Sequence, residues 1–207
     1  MTGNRSDAPA GNAARDIDAA AAALERFRAD GAAAGRIDEV GEALGSLIAA
    51  GGKILACGNG GSCADAMHFC EELTGRYRAD RPALPAIACA DPTHLTCVGN
   101  DYGFDAIFSR WVEALGKPGD ALIVLSTSGN SQNAINAVEA AVEIGLRTVA
   151  LLGKSGGGLA GRCDHEWIVP GDTADRIQEI HMLILHALIG RIEATLGHAG
   201  GHAGHAG

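Results

Sequence analysis

The chain of 207 residues is short of several things, and each shortage removes a class of function. Basic residues are few: 16 Lys and Arg stand against 25 Asp and Glu, a formal charge of −9. That balance argues against nucleic acid or an anionic membrane as the main partner. A phosphorylated metabolite remains compatible, because backbone N–H groups and a helix end hold an anion locally. No apolar run is long enough to span a bilayer. Met1–Asp16 is polar and Gly/Ala-rich without an apolar centre, so a secretory signal is not expected and a cytoplasmic setting is. The six cysteines (57, 63, 70, 89, 97 and 163) contain no C-x-x-C pair, which fits reduced thiols packed as small hydrophobes. Cys63, near a predicted helix start, is the one whose pKa could fall enough to make it reactive.

What is present is a globular composition, 47% apolar, in a length that suits one domain. Residues 1–16 read as a disordered extension and 197–207 as a low-complexity Gly/His/Ala tail whose His198, His202 and His205 are solvated, leaving 17–196 as the folded unit. Ile17–Phe27 and Ile37–Ala49 have helical apolar spacing. After them strands and helices alternate. Predicted strands are Lys53–Cys57, Ala86–Cys89, Ala121–Leu125, Thr148–Leu152 and Glu166–Val169. Predicted helices are Ser62–Thr74, Phe104–Leu115, Ser131–Ile144 and Ala174–Leu196, with a short turn near Leu159. The main strands are continuous apolar runs, the pattern of strands covered on both faces. The expected architecture is therefore α/β: a doubly wound, five-stranded parallel sheet of flavodoxin-like type with extra N-terminal helices and ligands at the carboxyl ends of the strands.

Several motifs carry chemistry. In Cys57-Gly-Asn-Gly-Gly-Ser62 the glycines allow a sharp turn after a buried strand, and Ser62 is placed to cap the following helix. The stretch is not a dinucleotide fingerprint, since Cys63 stands where the third glycine belongs. Nor is Gly153-Lys154-Ser155 a P-loop, because the first glycine of that motif would fall at Thr148. On the helix after Ser62, His68 and Glu72 are four residues apart and share a face, a spacing open to metal binding or acid–base work and equally to a solvated surface. Ser126-Thr-Ser-Gly-Asn-Ser131 ends a buried strand and opens a helix with four hydroxyls, which is a phosphate cradle that needs no lysine. Asn100-Asp101-Tyr102-Gly103 reads as a turn before the Phe104 helix. The last helix carries Asp175, Gln178, Glu179, His181 and His186 among apolar residues. Gln178 and His186 are about 12 Å apart along a continuous helix, so geometry alone leaves open which of these groups act together, and His181 also suits a packed core.

Together these segments resemble the phosphoheptose isomerases of the sugar isomerase (SIS) family. The resemblance rests on Cys57-Gly-Asn-Gly-Gly-Ser62, His68-Phe-Cys-Glu-Glu-Leu-Thr-Gly-Arg76 and Val98-Gly-Asn-Asp101. It continues through Ser126–Ser131 and Asp175-Arg-Ile-Gln-Glu-Ile-His181 with His186 beyond, and runs from about Ile17 to Leu196. It implies a metal-assisted aldose–ketose isomerase that converts D-sedoheptulose 7-phosphate to D-glycero-D-manno-heptose 7-phosphate through an enediol, on the way to nucleotide-activated heptoses. His68, Glu72, Gln178 and His186 match the family's ligands for one zinc ion per subunit. Glu72 matches the residue that moves the proton between C1 and C2, and His186 its partner at the substrate oxygen. Ser126, Thr127, Ser128 and Ser131 match the phosphate site. Asn59, Gly60, Gly61, Asn100 and Asp101 match the sugar pocket, with Glu72 and Gln178 also touching substrate. Asp175 matches a group that orients a histidine. The family forms homotetramers with composite sites, so the resemblance allows His186 to serve a neighbouring subunit. The rival expectations are isomerisation of another phosphosugar, or a non-catalytic SIS regulator that binds a sugar phosphate or a replication-initiation protein.

Overall fold

The computed structural model describes residues 12–198. The chain runs through α1 (Ala13–Ala29), α2 (Ala33–Ala49), β1 (Ile54–Gly58), α3 (Gly61–Thr74), β2 (Ala86–Ala88) and α4 (Pro92–Asp101). It continues with a 3-10 turn (Phe104–Ala106), α5 (Ile107–Leu115), β3 (Ala121–Ser126), α6 (Gln132–Ile144) and β4 (Arg147–Gly153). A second 3-10 turn (Gly157–Leu159), β5 (His165–Val169) and α7 (Ala174–Thr195) complete it. The five strands form one parallel sheet in the order β2-β1-β3-β4-β5. This is the α/β, doubly wound arrangement expected from the alternating pattern.

Every residue of β1 and β3 is buried, as is all of β4 after Arg147. The pleat sends alternate side chains to opposite faces. Ile54, Ala56, Ile123, Leu125, Val149 and Leu151 therefore join a core under α1, α2, α3 and α7. Leu55, Cys57, Leu122, Val124, Ala150 and Leu152 join a second core under α4, α5 and α6. Between β1 and β3 the order of connection reverses, and in open α/β sheets that reversal is where loops part to admit a ligand.

Some boundaries differ from expectation. Ala13–Asp16 form the first turn of α1 instead of an irregular extension, because the Asn12 side chain caps it by accepting from Ala14 N. The remaining residues of the predicted extension, and His202 and His205 of the tail, lie outside the described residues. The segment read as a turn at Asn100–Gly103 is in part the end of a helix. α4 is started by Asp91, whose carboxylate accepts from the N–H groups of Thr93 and His94, with Pro92 at the first helical position. Gly60, not Ser62, stands at the N-cap of α3, and Ser62 is buried within its first turn.

His181 is fully buried on α7, and Leu152 O of β4 lies 3.1 Å from its Nε2. Burial lowers its pKa from the usual 6.5 to about 4, only partly opposed by the Leu152 bond. A histidine kept neutral in the fold but free to protonate when unfolded contributes stability that is full above pH 6.5 and declines as the pH falls toward 4. The difference corresponds to about 3 kcal/mol. Urea unfolding at pH 7.5 and pH 4.5 should show that loss, and His181→Leu should remove it. Comparison with the variant isolates His181 from Asp65, whose raised carboxyl acts with the opposite sign.

Candidate active site

The carboxyl ends of β1 and β3 sit side by side, with Gly58 in register with Leu125. The turn Asn59-Gly60-Gly61 and the hydroxyl loop Ser126–Ser131 thus leave adjacent strands. The hydroxyl loop is braced from within and from below. Ser126 Oγ accepts from Gly129 N at 3.0 Å, and Ser128 Oγ accepts from Asn130 N at 3.2 Å. From the turn after β4, Gly158 N donates to the Asn130 side chain and Leu159 N to Gly129 O. Gly129 has φ +65, and a Cβ there would lie 1.8 Å from Gly156 O. Ser131 caps α6 without a side-chain bond to it, leaving its hydroxyl and the first N–H groups of α6 as donors. Asn59 and Asn133 exchange two amide hydrogen bonds of 2.9 Å, which fix the neighbouring turn.

A second cluster lies along α3. His68 and Glu72 are roughly 10 and 16 Å below the start of that helix at Gly61. His68 Nε2 is 3.4 Å from Glu72 Oε1, and His186 Nε2 of α7 is 3.4 Å from Glu72 Oε2. One ligand atom from each of the three residues lies within 4.8 Å of the others. A tetrahedral zinc with bonds of about 2.0–2.1 Å separates its donors by roughly 3.3 Å. Glu72 Oε2 is also buried with no hydrogen-bond partner, a costly state for an anion unless a cation or proton meets it. Two imidazoles and an orphaned carboxylate at this spacing fit a divalent metal.

His68, Glu72 and His186 therefore meet within one chain. Gln178 lines a cleft of about 840 Å³ together with His186 but stands away from the cluster: a Cβ on Gly61 would lie 2.5 Å from its amide nitrogen. Asn100 and Asp101 are exposed at the end of α4, where Asn100 Nδ2 donates to Asp101 at 2.7 Å and Cys97 Sγ approaches the same carboxylate. Asp175 does not reach a histidine; its carboxylate accepts from the guanidinium of Arg176. Cys63 lacks the lowered pKa that a helix start can give. Partial burial raises its thiol pKa and outweighs any help from the helix start.

Two residues of the cleft escaped the motif analysis. Asp65 lies one turn before His68 and lines the cleft, with Oδ2 buried and unpartnered. Burial raises its carboxyl to about 6, with His68 opposing the shift. Its sequence signal was the i, i+3, i+7 series with His68 and Glu72. Tyr77, in the loop after α3, stacks on His186 with centroids 5.7 Å apart and planes at 13°; nothing in its spacing marks it.

The SIS domain family model matches residues 17–153, a span that holds the turn after β1, the hydroxyl loop and the His68–Glu72 face of α3. The phosphoheptose isomerase of Fusobacterium nucleatum is 58% identical over 159 residues, covering 77% of this chain and 82% of that one. The phosphoheptose isomerase of Vibrio cholerae is 51% identical, covering 87% and 95%. The solved phosphoheptose isomerase of Neisseria gonorrhoeae superposes with a TM-score of 0.82 at 40% identity, covering 88% and 97%. The chain belongs to the phosphoheptose isomerases of the SIS family, and is an isomerase enzyme.

The brace on the hydroxyl loop has a direct test. Gly129→Ala forces a Cβ onto the Gly156 carbonyl at a φ that L-residues avoid. The loop must move, and affinity for phosphosugar should fall by roughly tenfold or more. Isothermal titration with a sugar phosphate, alongside circular dichroism to confirm the fold, measures it.

Proposed function

We propose that this chain converts D-sedoheptulose 7-phosphate to D-glycero-D-manno-heptose 7-phosphate, supplying nucleotide-activated heptose biosynthesis in the cytoplasm. The observation that carries the reading is Glu72: a carboxylate held between two imidazoles, with one oxygen buried and unpartnered. The phosphate rests on Ser126, Thr127, Ser128 and Ser131 and on the N–H groups that open α6. Asn59, Gly60, Gly61, Asn100 and Asp101 shape the sugar pocket, and Gln178 contacts a substrate oxygen.

Isomerisation requires removal of a weakly acidic proton next to a carbonyl and its return to the neighbouring carbon. Glu72 takes that proton and delivers it back on the same face. His186 moves the proton between the two substrate oxygens, in ring opening and in the enediol. His68, Glu72, Gln178 and His186 are the proposed holders of one zinc ion per subunit. The Gln178 amide must turn away from Gly61 to join the other three. When bound, zinc polarises the substrate carbonyl as a Lewis acid.

Assembly as a homotetramer with composite pockets is part of this reading. Met67 on α3 and Leu183 on α7 are large apolar side chains left 50% and 38% exposed next to the cluster, and a second subunit would cover them. No helix among the described residues is long and apolar enough to cross a membrane.

Incubation with sedoheptulose 7-phosphate should yield the aldose, followed by NMR; absence of conversion would favour a sugar-phosphate-binding regulator. Glu72→Gln should reduce kcat by roughly 10²–10⁴-fold while phosphate binding and the fold persist. Undiminished turnover by that variant would remove Glu72 from the mechanism. Metal is tested separately: full activity in chelated protein with no metal by elemental analysis would sink the zinc role.

A further inference from the structure

We infer that Tyr77 is the positioning residue of His186: its ring sets the orientation of the imidazole that works opposite Glu72. This rests on the proposed role of His186.

A working histidine usually has its second ring nitrogen tied to a carboxylate or carbonyl, and that bond fixes its rotation. Among the described residues no such bond engages His186. Its one polar approach is Nε2 to Glu72 Oε2 at 3.4 Å. What touches the ring otherwise is aromatic. Tyr77 lies nearly parallel to it at 5.7 Å, and His68 meets it edge-on at 5.3 Å and 81°. Both geometries are favourable for π systems, and each favours the present orientation of the imidazole over one turned away from it.

A positioning group must itself be held. Tyr77 packs against the core beneath α7. The loop that carries it is pinned by Arg81, whose side chain is 1% exposed. Arg81 donates from Nη2 to Glu72 O at 2.6 Å, from Nη1 to Leu73 O at 2.7 Å and from Nε to Glu193 at 2.8 Å. One buried guanidinium thus ties the loop to the main chain of Glu72 and to α7, the helix of His186. The fork geometry of arginine makes these bonds together, which a lysine does not reproduce. The loop is thus tied to both helices that carry the carboxylate and the imidazole, and Tyr77 is its contact with the ring.

The test compares Tyr77→Phe and Tyr77→Leu with the wild type in the sedoheptulose 7-phosphate assay and in NMR of the histidine ring protons. Phe keeps the ring and should keep kcat and KM within about twofold. Leu keeps apolar volume but not the plane, and kcat should fall about tenfold or more with KM little changed. In the same variant the His186 ring protons should lose the upfield displacement that a stacked tyrosine causes. Should Leu fail to fold, Tyr77→Met is read in its place. A Leu variant with kcat within twofold of wild type, though the ring displacement is gone, overturns the inference. So does a Phe variant as impaired as Leu, which would assign the effect to the hydroxyl. His186→Gln separates the two levels: if it retains turnover, the role given to His186 fails and this inference with it. If it loses turnover while Tyr77→Leu does not, only the positioning role fails.

Discussion

Everything in the molecule depends on the parallel pairing of β1 with β3. These strands are buried on both faces, so they are apolar up to their carboxyl ends, and each face must be covered by helices. The covering helices are supplied by the crossovers themselves. Because the chain goes outward to β2 and then returns past β1 to β3, the connections diverge at the carboxyl ends of the central pair. The turn at Asn59 and the hydroxyl loop at Ser126 are simply what the two neighbouring strands become when they end.

The same pairing explains why the site has two chemically different halves. At the sheet edge the available groups are loop hydroxyls and backbone N–H groups, which suit an anion without any basic side chain. Farther down, α3 and α7 run alongside each other, with Gln178 against Gly61 at one level and His186 against Glu72 at another. Side chains there are partly removed from water. Carboxylates in such a place are costly, and the structure shows the strain twice: Glu72 Oε2 and Asp65 Oδ2 are both buried without hydrogen-bond partners. At Asp65 the cost appears as a carboxyl pKa raised to about 6 by desolvation. At Glu72 two imidazole nitrogens, each 3.4 Å from one of the carboxylate oxygens, give a spacing that fits a shared cation.

The frame was legible because its signals are local and redundant. β1, β3 and β4 are apolar at nearly every residue, and no helix of comparable length reads that way. The face shared by His68 and Glu72 was legible for a related reason, since both sit on one helix and the period is fixed. α4 was not recognised, because Thr-His-Leu-Thr-Cys-Val-Gly-Asn has little apolar periodicity. Its signal was instead Asp91-Pro92, an N-cap followed by a proline at the first helical position. Ser62 illustrates the opposite error. It is a good capping residue type, but the turn at Gly60, with φ +57, starts the helix early and leaves the hydroxyl inside it.

Residues whose role lies only in where the fold places them were not legible at all. Tyr77 sits in an irregular loop between a helix and an edge strand, and no periodicity applies there. Its partner His186 is more than a hundred residues away in the chain. Arg81 is similar: read alone, it is one of several arginines around residues 76–81, a stretch that suggests a solvated surface. The structure puts only that guanidinium at the C-terminal end of α3, where unpaired carbonyls gather and the helix dipole is negative. There it meets Glu193 from α7, and the two helices that carry the site are joined at their buried ends. The pair is nearly inaccessible to water, so removing either charge would strand the other. The core packing of α3 on α7 that places Glu72 near His186 is thus braced by a contact that touches neither side chain, and no motif around either residue reveals it.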